Sequence, residues 1–145
     1  NYIGDSVMVV YGAPQKLEDH EIISVRCAIG MREKLKELNA KWDETEFSRY
    51  WKNHGINEIT ARTGIHTGSV IAGNIGSDRM LQYSTIGDTV NVASRLEQRN
   101  KEFGTDILFS QKIYTSLTKD LYDQAKYQGE VSLKGRDTKT RTYSI

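Results

Sequence analysis

From Glu18 to Leu38 the apolar residues Ile22, Val25, Ile29, Leu35 and Leu38 recur at helical spacing. Short β-branched or apolar runs bounded by glycines lie on both sides of that stretch. Helical and strand-like periods alternating in one chain call for a layered core, with a helix stripe buried against strand faces. The expected class is α+β, with helices packed against a sheet.

The run Val7 to Tyr11 reads as a strand buried on both faces, closed by Gly12 and Pro14. The charged stretch 41–53 carries Trp42, Phe47, Tyr50 and Trp51 and reads as more helix or a packed connection, stopped at His54-Gly55. Residues 59–67 alternate Ile59, Ala61, Thr63 and Ile65 against polar neighbours, the pattern of a strand with one face turned inward. A further strand starts at Val70, and 74–78 reads as loop. Asp88 is placed to cap a helix over Thr89–Lys101. A strand at Ile107–Phe109, a short helix at Gln111–Leu117 and strands at 130–134 and 140–145 complete the expected order.

The 145 residues suit one domain. Twenty Lys and Arg stand against 19 Asp and Glu, for a net charge of +1, which gives no support to binding of nucleic acid or acidic membranes. A single cysteine, Cys27, excludes a disulfide framework and a cysteine zinc site, and it reads as core on the first helix. The apolar runs are far shorter than the roughly 20 residues that span a bilayer.

Four features can bear chemistry. Asp5 follows Gly4 at a tight turn, where a carboxylate can share Mg²⁺ with phosphate oxygens; taken alone, an ordinary turn aspartate is the commoner case. Asn91 and Arg95, four apart, share one helix face away from Val92 and Leu96. Arg suits a phosphate because its fork is planar and permanently charged, though a solvated helix face carries the same residues. Lys134 beside Gly135 could reach a phosphate as a point charge, and surface lysines are the more frequent reading. Glycines 64, 68, 73 and 76 match no phosphate-loop spacing, and His20, His54 and His66 make no metal-ligand spacing.

In order along the chain, these features resemble a known family. Asn1-Tyr2-Ile3-Gly4-Asp5-Ser6-Val7-Met8 followed by Tyr11-Gly12 resembles the metal-binding hairpin of class III nucleotidyl cyclases. Arg62 to Gly68 with Ala72 to Gly76 resembles the next signature, and Tyr83 to Glu97 resembles the third and most specific one. The resemblance runs over residues 1–145, read as a single, N-terminally truncated catalytic domain.

The resemblance implies a ferredoxin-like sheet lacking its first strand here, and a homodimer with active sites at the subunit interface. It implies conversion of ATP to 3′,5′-cyclic AMP and pyrophosphate with two divalent cations, Mg²⁺ or Mn²⁺. Asp5 would bind metal, Asn91 would orient the ribose, Arg95 would stabilise charge on the α-phosphate, and Lys134 would hold the terminal phosphates. The family's other metal aspartate falls upstream of Asn1, so this stretch alone is expected to be inactive. Base reading falls to Asn1, where adenylyl cyclases usually have Lys, and to Ser84, where they have Asp or Thr. The Glu and Cys usual in guanylyl cyclases are absent, so adenylate is the expected specificity, with GTP as the alternative substrate. A catalytically silent cyclase-homology domain and a ferredoxin-like nucleic-acid module are the competing readings, and the charge balance counts against the second. The parent protein is expected to carry upstream regulatory domains, with this domain on the cytoplasmic side and attachment to a membrane left open.

Overall fold

The computed structural model describes residues 1–77, 80–132 and 139–145. Strand β1 (Tyr2–Ile3) turns through Gly4-Asp5 into β2 (Ser6–Val7), antiparallel to it. Helix α1 (His20–Glu44) follows, then the short α2 (Arg49–Lys52) and strand β3 (Thr63–Ile65). Strands β4 (Ile71–Ser77) and β5 (Met80–Ile86) form a long antiparallel ribbon that leads into helix α3 (Asp88–Phe103). Strand β6 (Ile107–Ser110), the one-turn helices α4 (Gln111–Tyr114) and α5 (Lys119–Tyr122), and strands β7 (Lys126–Ser132) and β8 (Lys139–Ser144) complete the chain.

The main sheet has the order β3-β6-β8-β7, with β3 and β6 parallel and the other pairs antiparallel. Strand β6 lies inside it and is buried at every position. Its alternation divides the core. Ile107 and Phe109 pack with Val25 and Ala28 of α1, whereas Leu108 packs with Val92 and Leu96 of α3. Helices therefore cover both faces, and each fully buried Val or Leu on α3 contributes about 1.5–3 kcal/mol. Helix α3 lies very close to β3. A Cβ added to Gly64 would fall 2.1 Å from the carbonyl oxygen of Ala93. The same pair of elements is tied by an Arg62–Glu97 ion pair at 2.9 Å and by Asn100, whose amide donates to the Thr63 carbonyl at 3.0 Å.

Several expectations need correction. The run 7–11 is not a buried strand: β2 stops at Val7, and Val7 and Val9 are 56% and 53% exposed. Among the described residues the hairpin pairs only with itself, and Val7 and Val9 stay more than half exposed. Strand β3 is shorter than 59–67, and Ile59 stays at the surface because 59–62 has no ladder partner. Residues 74–77 are strand, since all four are held in register pairs with β5. Asp88 is the first residue inside α3 and makes no side-chain cap; Gly87 precedes the helix. Cys27 faces solvent, with Sγ 3.9 Å from Met31 Sδ. The 41–53 stretch holds the end of α1 and all of α2, joined by an edge-on Trp42–Trp51 contact at 5.4 Å.

Candidate active site

The first eight residues set one corner of the site. Asn1 and Met8 exchange backbone hydrogen bonds of 2.9 and 2.7 Å, which extends the hairpin by one pair. The turn places Gly4 at φ 63°, a left-handed conformation natural to glycine, and carries Asp5 exposed at the tip. The extra pair brings the Asn1 side chain against β5. Its Nδ2 donates to the Tyr83 carbonyl at 3.1 Å and lies 3.5 Å from Ser84 Oγ. Gln82 Nε2 donates to Asn1 Oδ1 at 3.2 Å. A carbonyl only accepts, so the Tyr83 contact fixes which end of the Asn1 amide carries hydrogen. Asn1, Ser84, Met8, Pro14, Tyr83 and Thr85 border a hollow of about 200 Å³.

Thus the two residues expected to read the base meet, although they are 83 positions apart. Gln82 is a member of this group that motif reading missed. The signal was present: it stands two residues before Ser84, on the same face of the same strand.

The second corner is α3. Val92 and Leu96 turn into the core, which leaves Asn91 exposed and Arg95 half-buried along the flank. Arg95 Nη1 is itself buried and has no hydrogen-bond partner among the described residues. A buried guanidinium N–H without an acceptor is costly unless something else supplies one. Thr89, in the first turn, donates to the Ser69 carbonyl at 2.9 Å and so anchors the start of the helix on the segment after β3.

His66 closes the end of β3, with Nδ1 2.7 Å from Ser110 Oγ. Burial, helped by the Lys112 charge and opposed by Asp88, pushes its imidazole down to about 4. It is therefore neutral at ordinary pH and serves as a packed, hydrogen-bonded residue.

Asp5 belongs to the hairpin and the Asn91–Arg95 pair to α3, elements that share no sheet. Among the described residues no three His, Cys, Asp or Glu side chains form a metal-holding group. The described residues thus assemble no two-ion centre around Asp5. Lys134 lies outside the described residues.

The model of the adenylate and guanylate cyclase catalytic domain matches residues 1–145. The chain belongs to that family. It is 35% identical to adenylate cyclase 1 of Rhizobium meliloti (strain 1021), over 98% of this chain and 20% of that protein. It is 34% identical to the guanylate cyclase soluble subunit beta-2 of Rattus norvegicus, over 99% of this chain and 19% of that protein. The crystal structure of the adenylyl cyclase CyaB from P. aeruginosa superposes with a TM-score of 0.74 at 29% identity, covering 100% of this chain and 69% of that one. The chain thus spans about a fifth of the length of these two relatives. Among the described residues no helix is long and apolar enough to cross a membrane.

Proposed function

We propose that residues 1–145 act as one catalytic domain of an adenylate cyclase, cyclising ATP to 3′,5′-cyclic AMP with release of pyrophosphate. The observation that carries the choice of base is the Asn1 amide. Its oxygen is occupied by Gln82 and one N–H by Tyr83, while the other N–H makes only the long contact with Ser84. The hollow is thereby offered a donor, which suits the N1 acceptor of adenine, and the Ser84 hydroxyl can accept from the adenine amino group. Guanine would present an N1–H to that donor. Among the described residues no carboxylate lines the hollow to receive it.

On the flank of α3, Asn91 would orient the ribose. Arg95 would meet negative charge developing at the α-phosphate, the acceptor its buried N–H lacks. Lys134 is proposed for the terminal phosphates. Asp5 would offer its carboxylate to a Mg²⁺ or Mn²⁺ ion shared with the phosphates. A homodimer is supported by the apolar side chains left uncovered on the hairpin and ribbon: Tyr2 is 84% exposed, Ile71 75% and Ile86 57%. In such a dimer Asp5 of one subunit would serve the Asn91 and Arg95 of the other. Guanylate cyclase is the second reading, favoured by an identity of 34% to one such protein beside 35% to an adenylate cyclase.

Competition between ATP and GTP in the full-length protein with Mn²⁺ tests the assignment. The expected kcat/KM ratio favours ATP by roughly tenfold, the worth of one or two neutral hydrogen bonds. A ratio favouring GTP would overturn the adenylate reading. Mixing Asp5→Ala subunits with Arg95→Ala subunits should recover part of the activity if the sites are shared. No recovery in demonstrated heterodimers would overturn the shared-site arrangement.

A further inference from the structure

We propose that His20 is a positioning residue for the Asn1–Ser84 hollow and acts through the loop that borders it; this rests on the nucleotide reading above. Residues 8–19 contain neither helix nor strand. Within them, Ala13 and Pro14 border the same hollow as Ser84. Val10 and Ala13 also border a second hollow of about 280 Å³, on the side of His20. The loop therefore borders both hollows, and its placement depends on how its ends are held.

One end is the Met8–Asn1 backbone pair. The other is His20, the first residue of α1. Its Nδ1 donates to the Leu17 carbonyl at 3.0 Å. Its Nε2 lies 3.1 Å from Thr67 Oγ1 and 3.0 Å from Glu21 Oε1. The Thr67 hydroxyl in turn donates to Glu21 Oε1 at 3.3 Å. One ring thus ties the loop to the start of α1 and to the exit of β3. Gly12 lies near the ring: a Cβ added there would come into ordinary contact with His20 Cγ at 3.9 Å.

A loop held outside any ladder moves when its end is released. Loss of the Leu17 bond should let Ala13 and Pro14 withdraw from the hollow. The nucleobase would lose contacts there, whereas the phosphates, which are not seated on this wall, would not.

Dissociation constants for ATP and for inorganic tripolyphosphate, each with Mn²⁺, test this on the full-length protein and its His20→Ala and His20→Asn variants. His20→Ala should weaken ATP by roughly three- to tenfold, the worth of about one hydrogen bond, and leave tripolyphosphate unchanged. His20→Asn, whose Nδ2 can still reach the Leu17 carbonyl, should recover most of the ATP affinity. The Ala13 methyl resonance should move in His20→Ala and return in His20→Asn, while that of Ala28 stays in place. Equal weakening of both ligands, unchanged ATP affinity or an unmoved Ala13 methyl would each overturn the role of His20 alone. Failure of the unaltered chain to bind ATP would overturn the nucleotide reading, and this role with it.

Discussion

Gly64 on β3 and Ala93 on α3 approach so closely that no side chain fits between them: the nearest atom to an added Cβ is the Ala93 carbonyl oxygen, at 2.1 Å, and the Glu97 backbone nitrogen follows at 2.2 Å. Both obstacles are helix backbone, which cannot rotate aside as a side chain would. The contact sets how low α3 sits on the sheet, and hence where Asn91 and Arg95 stand.

Gly64→Ala should therefore be strongly destabilising. Overpacking a core typically costs about 1–3 kcal/mol, and a backbone obstacle places this site at the upper end. Urea unfolding should show a lower midpoint with little change in slope. A midpoint equal to that of the unaltered chain would mean that α3 lifts away freely.

Stability should also fall on acidification through His66. Its ordinary value of 6.5 is lowered to about 4 in the fold, by burial first. Above pH 6.5 both states are neutral and the residue contributes no pH dependence. Between 6.5 and 4 the unfolded chain takes up a proton that the folded chain refuses, so stability drops as pH falls and levels off below 4. A fully buried group with this shift would lose roughly 3 kcal/mol; partial solvent access reduces that to roughly 1–2 kcal/mol. Urea titrations of the unaltered chain and His66→Asn at pH 7.5, 5.5 and 4.5 should diverge as the pH decreases. Parallel curves would refute the assignment.

Arg95 should show opposite effects on stability and activity. Its buried Nη1 has no acceptor among the described residues. Arg95→Met keeps the aliphatic packing and removes that orphaned donor, whose burial costs about 1–3 kcal/mol. The variant should unfold at the same or a higher urea concentration. In the full-length protein its kcat should fall by roughly 10²–10³ with little change in KM, as for loss of a group that acts on the transition state. A destabilised variant with normal kcat would make Arg95 a packing residue.

Legibility in the sequence followed from how local each cause is. Helix α3 was readable because Val92 and Leu96 bury at helical spacing, a pattern that needs no partner to be recognised. Strand β6 was readable as a short, wholly apolar run. The apolar residues of the run 7–11 call for burial on both faces, whereas burial depends on neighbouring strands, and the hairpin has none among the described residues. Residues 74–77 hide their strand because Asn74 and Gly76 have low intrinsic preference for it, and the ladder to β5 overrides that preference. The pairing of Asn1 with Ser84 came from motif resemblance alone. Gln82 is marked only by its two-residue spacing from Ser84, whereas the role of His20 consists of hydrogen bonds to groups that no spacing rule marks.

Gln82 provides the last test, since it decides which end of the Asn1 amide faces the hollow. Its Nε2 donates to Asn1 Oδ1, while the Tyr83 carbonyl receives Asn1 Nδ2. Both contacts demand the same orientation, so the amide is fixed with its spare N–H toward the base. Gln82→Glu replaces the donor with a second acceptor. The amide then cannot satisfy the Tyr83 carbonyl and the new carboxylate together without presenting its oxygen wrongly to one of them. It loses its defined orientation and can turn its oxygen toward a guanine N1–H. One neutral hydrogen bond of about 1 kcal/mol is then lost from discrimination, roughly a fivefold effect. The ATP-to-GTP ratio of kcat/KM in the full-length protein should fall from roughly tenfold to about twofold, mainly because GTP improves. A ratio unaltered by Gln82→Glu would show that the amide is oriented by Tyr83 alone, and that Gln82 plays no part in choosing the base.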